Sequence, residues 1–357
     1  MDFLFDIASF LLQALILLAV FLAAVAGVVA ISQRKRGSGD DGFIEARLLN
    51  ERYEAHQESL RAVTEDEADA KAREKSKKKA KKKAKKVEEK ARKRASKMDD
   101  VAEVEHRPRV FVIDFDGDMQ ASAVAQLREE VSAILPVASE KDEVLVRLES
   151  GGGVVHGYGL AASQLLRLKE AGVKLTVSVD KVAASGGYMM ACVADEIIAA
   201  PFAILGSIGV VAQLPNFHRL LKKNDIDVEM HTAGEFKRTL TFFGENTDKA
   251  REKFQADLDD VHILFKEFVS ANRPIVAIDQ VSTGEYWFGQ RALDLQLTDR
   301  LSTSDAFLQS RVEHSDLIEV RYRVKRGWQE RLGAAAEVAV ERGFRRLLRS
   351  EQDQRFL

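Results

Sequence analysis

The 357-residue chain is predicted to be an α/β protein with a largely parallel sheet, preceded by one N-terminal transmembrane helix. Three observations support this. From Arg109 onward, short apolar runs alternate with helical segments, which is typical of parallel sheets covered by helices. Hydrophobic residues make up 46% of the chain, enough to bury a core. A long uncharged stretch stands near the N-terminus.

Residues 1–33 are predicted to form a transmembrane anchor. From Ile7 to Ile31 the chain reads IASFLLQALILLAVFLAAVAGVVAI without a charge. This run exceeds the roughly 20 apolar residues that cross a bilayer as a helix. A cleaved signal peptide is the alternative, but it would begin with basic residues and have a shorter apolar core. The start instead carries Asp2 and Asp6, so we expect a retained single-pass anchor.

Residues 34–108 are predicted to be a charged, lysine-rich connector. Within it, residues 71–97 hold sixteen Lys and Arg against three Glu, which leaves a net charge of −15 on the rest of the chain. Such a tract favours a solvated helix or tether, and contact with anionic lipid head groups is the alternative. No aromatic residues stand between the lysines, so we expect no nucleic acid partner.

Residues 109–310 are predicted to form the globular domain, and residues 311–357 a C-terminal amphipathic helical segment. Strands are predicted at residues 109–115, 143–150, 174–179 and 195–200, and another ends near Thr232. Helices are predicted at residues 43–63, 121–138, 154–169, 187–194, 248–272 and 328–349. The apolar run 182–205 contains two carboxylates, which are costly in a bilayer, so we expect it to be buried core.

Ser185 is the candidate nucleophile. It lies in KVAASGGYMMACVAD, where a small residue packed in a core is the alternative interpretation. At the start of a helix the first N–H groups are free, so the Gly186 N–H could hold a developing oxyanion. A second donor could be Gly152 or Gly153, in the turn ESGGG that follows a predicted strand.

The base that would activate Ser185 is a histidine or a lysine. His156 is the only histidine near a candidate site element, and the sequence shows no carboxylate that would orient it. A lysine is protonated at neutral pH unless burial disfavours its charged form. Lys237 stands before the apolar residues TLTFF, so we expect it to be buried. Cys192 is the single cysteine, and no Cys/His cluster suggests a metal or cofactor.

The chain resembles the bacterial signal peptide peptidase A family of serine proteases, most closely its SohB branch. The resemblance covers about residues 105–305 and rests on several motifs in family order and spacing. These motifs are ESGGGVVHGYG, DKVAASGGYMMACVADEIIA, LGSIGVV, GEFKRTLTFF and GEYWFGQRALDLQLTDRL. One departure is Gly151, which stands where the family commonly has a proline before the paired glycines.

This resemblance implies a crotonase/Clp protease-like fold of repeated ββα units and a Ser–Lys dyad without a metal or cofactor. Ser185 would be the nucleophile, Lys237 its base, and Ser207 in GSIG the residue that orients the lysine. The oxyanion donors would come from Gly186 and from the glycine turn at Gly152 and Gly153. The family also forms ring-shaped homo-oligomers, in which neighbouring subunits can complete a site.

The implied function is that of a membrane-anchored serine endopeptidase in a bacterial inner (plasma) membrane. Its substrates would be peptides with apolar stretches, such as remnant signal peptides or membrane-protein fragments, and membrane lipid would be a partner. An inactive scaffold or assembly protein is one alternative. Acyl-CoA chemistry is another, but no matching catalytic carboxylates are evident. Cations at Arg34–Arg36 favour a cytoplasmic domain, whereas the resemblance implies a periplasmic one.

Overall fold

The computed structural model describes residues 42–66, several helical residues between 69 and 86, and residues 107–324. The predicted anchor at residues 1–33, most of the lysine-rich tract and the predicted helix at residues 328–349 lie outside the described residues. Among the described residues, no helix is both long enough and apolar enough to cross a membrane. Residues 44–322 form one compact unit, which contains the elements that build the candidate site.

A twisted, largely parallel sheet forms the centre of this unit. In the described part of the chain its main path runs in the order β1-β10-β2-β3-β4-β6-β9. These strands are β1 (Phe43–Leu48), β2 (Arg109–Gly117), β3 (Glu143–Ser150), β4 (Lys174–Val179), β6 (Glu196–Ala199), β9 (Arg300–Leu301) and β10 (Asp316–Arg323). The parallel register pairs β2 with β3 from Val110↔Glu143 to Gly117↔Ser150. Strand β3 is buried along nearly its whole length, as expected for a parallel strand covered on both faces.

Three short strands branch away from this path at the end of β3. They are β5 (Val182–Ala184), β7 (Ile204–Gly206) and β8 (Tyr286–Phe288). Ser150 pairs with Ala183, which joins β5 to β3. Strand β7 then pairs with β5 in parallel and with β8 in antiparallel orientation. The branch therefore brings the carboxyl ends of β3, β5 and β7 to one place.

Helices cover both faces of the sheet. They are α1 (Leu49–Thr64), α2 (Val124–Ile134), α3 (Val155–Glu170), α4 (Gly186–Ala191), α5 (His218–Lys223), α6 (Asp248–Asn272), α7 (Ile278–Val281), α8 (Gly289–Asp294) and α9 (Ser304–Arg311). Alternate residues of β2 enter two separate cores because successive side chains of a strand point to opposite faces. Phe111 and Ile113 join the larger core with α2, α3 and α4, whereas Val110 and Val112 pack with Leu49 and with α9.

The structure confirms the α/β class and most predicted elements. Strands at β2, β3, β4 and β6 and the 25-residue helix α6 lie where the sequence predicts them. The run 182–205 is buried core, as expected. The strand predicted to end near Thr232 is wrong, because described residues 224–232 are irregular and exposed. Without a neighbouring strand to pair its backbone groups, an extended segment forms no ladder.

One edge of the sheet is formed by strands from outside the predicted domain limits of 109 and 310, one on each side of that range. Strand β10 pairs with β2 in parallel, and β1 lies beside β10 although residues 43–63 were predicted to be helical throughout. Asn50, which is nearly buried, fixes this edge. Its side-chain amide donates to the carbonyl oxygens of Val312 and Ser315 at 2.9 Å, and its Oδ1 accepts from the Leu317 N–H at 2.7 Å. These contacts span more than 260 positions, so local sequence patterns carry no sign of them.

A buried carboxyl group lies under the C-terminal strand. Glu130 of α2 is 5% exposed, and its Oε1 accepts a hydrogen bond of 2.8 Å from the Tyr322 N–H. Burial raises the pKa of Glu130 to about 7, and the Tyr322 N–H and Arg321 offset only part of this effect. The folded protein therefore binds this proton more tightly than the unfolded chain does.

Glu130→Gln is expected to stabilise the protein at alkaline pH. The pKa of Glu130 is higher in the folded protein than in the unfolded chain, so its contribution to the free energy of unfolding falls as pH rises from about 5 to 7. Above that range the buried group is ionised, and the whole cost of its burial lowers the free energy of unfolding. Glutamine keeps the acceptor for Tyr322 and carries no charge. Urea unfolding should show a gain of about 2–3 kcal/mol at pH 8 and almost none at pH 4.5. Glu129→Gln, at the exposed neighbouring residue, serves as the control. A stability gain that does not change with pH, or an equal gain from Glu129→Gln, would contradict the expectation.

Candidate active site

Ser185 lies in a strained turn between β5 and α4. Its backbone has φ 52° and ψ −118°, a region that residues with a Cβ rarely occupy. Its N–H donates to the Gly206 carbonyl oxygen at 2.8 Å, and its carbonyl oxygen accepts from the Met189 N–H at 3.0 Å. The side chain is half-buried between fully buried neighbours. The sequence therefore correctly predicted a serine at a helix start, and the structure adds a backbone held on both sides.

Ser207 occupies the corresponding position on the neighbouring strand. In the parallel register Ala184 pairs with Gly206, so Ser185 and Ser207 each follow the last paired residue of adjacent strands. Ser207 also has φ 52°, and its N–H donates to the Glu285 carbonyl oxygen at 2.6 Å. The structure thus brings these two predicted site residues to the same edge of the branch.

The glycine turn after β3 packs directly against Ser185. Gly152 has φ +88°, and a Cβ there would lie 2.7–2.8 Å from Gly186 N, Ala184 O and Ser185 Cβ. A Cβ on Gly153 would meet the Met119 carbonyl oxygen, which also accepts a 2.9 Å hydrogen bond from the Val154 N–H. Only glycine fits at these two positions. Gly151, by contrast, has nothing within 4 Å of an added Cβ.

Gly186 and Gly187 allow the start of α4 to approach β3 and α3. A Cβ on Gly186 would lie 2.4 Å from Tyr158 Cγ, and a Cβ on Gly187 would lie 2.6 Å from the Ser150 carbonyl oxygen. Both glycines are buried. The backbone that follows Ser185 is therefore pressed against the ring of Tyr158 and the end of β3.

A hydrogen-bonded group beneath the turn links Ser150 and Tyr158. The Gly152 N–H donates to Ser150 Oγ at 3.0 Å. Ser150 Oγ and Tyr158 Oη are 2.5 Å apart, and the Tyr158 hydroxyl donates to the Asp118 carbonyl oxygen at 2.8 Å. The sequence analysis missed both residues. The motif HGYG was visible, but nothing in its spacing indicated a contact with the turn eight positions earlier.

Among the described residues, no hydrogen bond joins Lys237 to Ser185 in the single chain. Lys237 is exposed, although the sequence predicted it to be buried, and its N–H donates to the Gly234 carbonyl oxygen at 3.2 Å. Within the described residues its side chain makes no hydrogen bond or ion pair. Its neighbours in TLTFF do not cover it, because Phe242 and Phe243 are themselves 44% and 51% exposed.

The other candidate groups do not form a second site. His156 is exposed on the first turn of α3 and, among described residues, has no hydrogen-bond partner. Cys192 is fully buried, and burial raises the pKa of its thiol to about 12, so it stays protonated. No group of three or more metal-binding side chains occurs in the ranges that the structure describes.

Comparisons with known proteins agree with the motifs. The model of the peptidase family S49 N-terminal region matches residues 2–165, and the model of peptidase family S49 matches residues 167–317. A probable protease SohB of Haemophilus influenzae is 52% identical over 336 residues, which are 94% of both chains. A probable protease SohB of Buchnera aphidicola subsp. Schlechtendalia chinensis is 64% identical over 207 residues, 58% of this chain and 68% of that protein.

Solved structures similar to this chain include a membrane-bound stomatin-specific protease in complex with a substrate peptide. It is 10% identical in sequence and has a TM-score of 0.41. The match covers 64% of this chain and 98% of that protein. The family matches and the long alignments at high identity identify the chain as a peptidase. It belongs to peptidase family S49 and, within that family, to the SohB branch.

Proposed function

We propose that this peptidase is a serine endopeptidase in which Ser185 is the nucleophile and Lys237 its base. The observation that carries the proposal is the strained turn that presents Ser185 between Ser207 and the glycine turn. A residue at such a φ costs about 1–3 kcal/mol, and such strain clusters at functional sites. The branched parallel sheet also fits the crotonase/Clp protease-like fold that the resemblance implies.

The reaction would proceed through an acyl-enzyme. A neutral Lys237 amine takes the Ser185 hydroxyl proton while Oγ bonds to the scissile carbonyl carbon. The tetrahedral intermediate then expels the amine product, which receives that proton from the lysine. A water molecule attacks the resulting ester, gives a proton to Lys237, and the carboxylic acid product leaves as Ser185 regains its proton. Ser207, one strand away from Ser185, would hold the lysine amine in line.

Two backbone amides would stabilise the oxyanion. The Gly152 N–H is already engaged with Ser150 Oγ, so Gly153 is the better donor from the turn. Gly186 supplies the other, because its N–H directly follows the nucleophile and lies at the first turn of α4. Fixed amides of this kind typically contribute a factor of about 10²–10³ to the rate.

A neighbouring copy would complete the dyad, because Lys237 is exposed and makes no hydrogen bond to Ser185 in the single chain. The segment around it exposes several large apolar side chains, among them Val211, Leu220, Ile226, Phe236 and Phe243. Clustered exposed apolar groups are typical of interfaces. Burial of this segment against a second copy would remove water from the lysine and favour its neutral form. We infer that the active form is a homo-oligomeric ring.

The anchor and the substrates follow from the sequence. The apolar run from Ile7 to Ile31 supports a single-pass anchor in a bacterial inner membrane, with lipid as a partner. A peptidase held there would meet peptides with apolar stretches, such as remnant signal peptides and fragments of membrane proteins. The cations at Arg34–Arg36 favour a cytoplasmic protease domain and the family resemblance a periplasmic one, and protease accessibility in intact spheroplasts distinguishes the two.

Loss of either dyad residue should abolish hydrolysis while the protein still folds. For the purified full chain, Ser185→Ala and Lys237→Arg are expected to lower kcat/KM for a short apolar peptide by about 10⁴-fold or more. Arginine keeps its charge and cannot accept the proton. Lys223→Arg, another exposed lysine nearby, is the matched control and should remain active. Undiminished activity in Ser185→Ala would rule out the nucleophile, and near-normal activity in Lys237→Arg would make His156 the next candidate base.

Alanine substitutions at the adjacent positions Gly151 and Gly152 should have different effects on hydrolysis and stability. Gly152→Ala places a methyl group within 2.8 Å of Gly186 N, Ala184 O and Ser185 Cβ, at a positive φ. We expect it to abolish hydrolysis and to lower the free energy of unfolding by about 1–3 kcal/mol. Gly151→Ala meets nothing within 4 Å and should leave both quantities unchanged. Equal effects of the two variants on peptide hydrolysis and thermal unfolding would show that the turn is not built as described.

Oligomer formation should depend on the exposed segment around Lys237. Sedimentation velocity of the detergent-solubilised full chain is expected to show a ring-sized species. Phe243→Asp should shift it toward monomer and reduce hydrolysis in parallel, because a charge in an apolar interface is costly. Leu60→Asp, on the exposed face of α1, is the control and should leave the oligomer intact. A fully active monomer would refute assembly as the source of the base.

A further inference from the structure

We propose that Tyr158 is a positioning residue for peptide hydrolysis, acting through Ser150 on the glycine turn and through its ring on Gly186. This inference rests on the proposed serine-peptidase function. Tyr158 does not touch the substrate in this view. It holds the two backbone segments that would supply the oxyanion donors, one on each side of the nucleophile.

The hydrogen bonds beneath the turn form one connected chain, whose direction we assign from the protons available and the contact distances. Tyr158 has one hydroxyl proton, and it is donated to the Asp118 carbonyl oxygen. Ser150 also has one proton, and its 2.5 Å contact with Tyr158 Oη is much shorter than its 3.4 Å contact with the Gly117 carbonyl oxygen, so we assign that proton to the bond with Tyr158 Oη. Ser150 Oγ then uses a lone pair to accept the Gly152 N–H. The result is a chain from Gly152 through Ser150 and Tyr158 to the loop after β2.

The same tyrosine also supports the other half of the site. Its ring lies where a Cβ of Gly186 would be, within 2.4–2.8 Å of three ring and side-chain carbons. Tyr158 is fully buried, and its ring makes an edge contact with Phe115 at a centroid distance of 6.4 Å. Burial raises the pKa of Tyr158, so its hydroxyl stays protonated and remains a donor throughout the neutral range.

The loop that receives the Tyr158 hydroxyl contacts the turn as well. Asp118 accepts the tyrosine proton through its carbonyl oxygen, and the next carbonyl, that of Met119, accepts the Val154 N–H. The Met119 carbonyl also lies against Gly153. Loss of the Tyr158 hydroxyl would leave the Asp118 carbonyl with only its 3.0 Å bond from the Ala121 N–H, and would leave Ser150 Oγ with only its 3.4 Å contact to the Gly117 carbonyl oxygen. The turn would keep its place in the chain but lose the fixed direction of its amides.

Tyr158→Phe tests this role because it removes the hydroxyl and leaves the ring against Gly186. Ser150→Ala removes the next member of the hydrogen-bonded chain, and the double variant combines both substitutions. Tyr188→Phe is the matched control, since Tyr188 is equally buried and its hydroxyl donates to the Leu297 carbonyl oxygen at 3.2 Å, away from the turn. Each full-length variant is compared with the wild type by kcat and KM on a short apolar peptide, by thermal unfolding, and by inhibition with a peptide boronic acid.

We expect Tyr158→Phe and Ser150→Ala each to lower kcat and boronate affinity about tenfold, less than the loss of a whole oxyanion donor, with KM within about twofold. The double variant should lose no more than about the larger single loss, because both changes break one chain. Tyr188→Phe should keep kcat within about twofold, even if it lowers the unfolding temperature to the same extent. A boronate readout is included because its tetrahedral adduct on a serine needs the oxyanion donors, whereas fold stability alone does not predict it.

Three results would overturn the inference. Tyr158→Phe could match Tyr188→Phe in kcat, the loss could lie in KM alone, or the two single losses could multiply in the double variant. If Tyr158→Phe fails to fold, Ser150→Ala with unchanged kcat and boronate affinity overturns it by itself. A wild type without Ser185-dependent hydrolysis would refute the proposed function and this inference together, whereas an active wild type with unaffected variants would refute only the positioning role.

Discussion

The branch of the sheet at the end of β3 is the constraint on which the candidate site depends. Strand β3 pairs with β4 along most of its length, but its last residue, Ser150, pairs with Ala183 of β5. This change of partner directs β5 and β7 away from the main path. Their carboxyl ends, and that of β3, then meet, and each is followed by a residue of the candidate site. Without the branch, Ser185, Ser207 and the glycine turn would belong to separate parts of the fold.

Three backbone segments meet at the candidate site, and their close approach explains why glycine is required at three particular positions. Gly152 faces Ser185, Gly186 faces the ring of Tyr158, and Gly187 faces the Ser150 carbonyl oxygen. Each added methyl group would have to displace backbone or a buried ring, neither of which can move cheaply in a close-packed interior. The strained φ of Ser185 is held in place by the same packing, with the Gly206 carbonyl oxygen and the Met189 N–H as its hydrogen-bond partners.

Much of this arrangement could be predicted from the sequence, and the rest depends on long-range contacts. Buried parallel strands produce continuous apolar runs, so β2, β3, β4 and β6 were readily predicted. Ser185 and the glycines stand in motifs that carry the family resemblance. Asn50, which joins the start of α1 to the loop before β10, gives no local signal, because its partners lie more than 260 positions away. Tyr158 has an ordinary apolar setting in the sequence, and only the fold shows that it lies beneath the turn.

The expected burial of Lys237 was wrong for a physical reason that bears on how the site is built. Apolar neighbours in sequence bury a lysine only if the segment packs on something, and residues 224–243 are largely exposed in the single chain. The surroundings of Ser185 have the opposite character, since they are fixed by buried strands, glycine contacts and hydrogen bonds. The fold of one chain therefore preorganises the surroundings of Ser185, whereas the segment around Lys237 keeps exposed apolar side chains. With Ser185 and Lys237 in the proposed roles, a peptidase arranged in this way would couple its activity to assembly, because the single chain orders the surroundings of Ser185 but leaves Lys237 exposed.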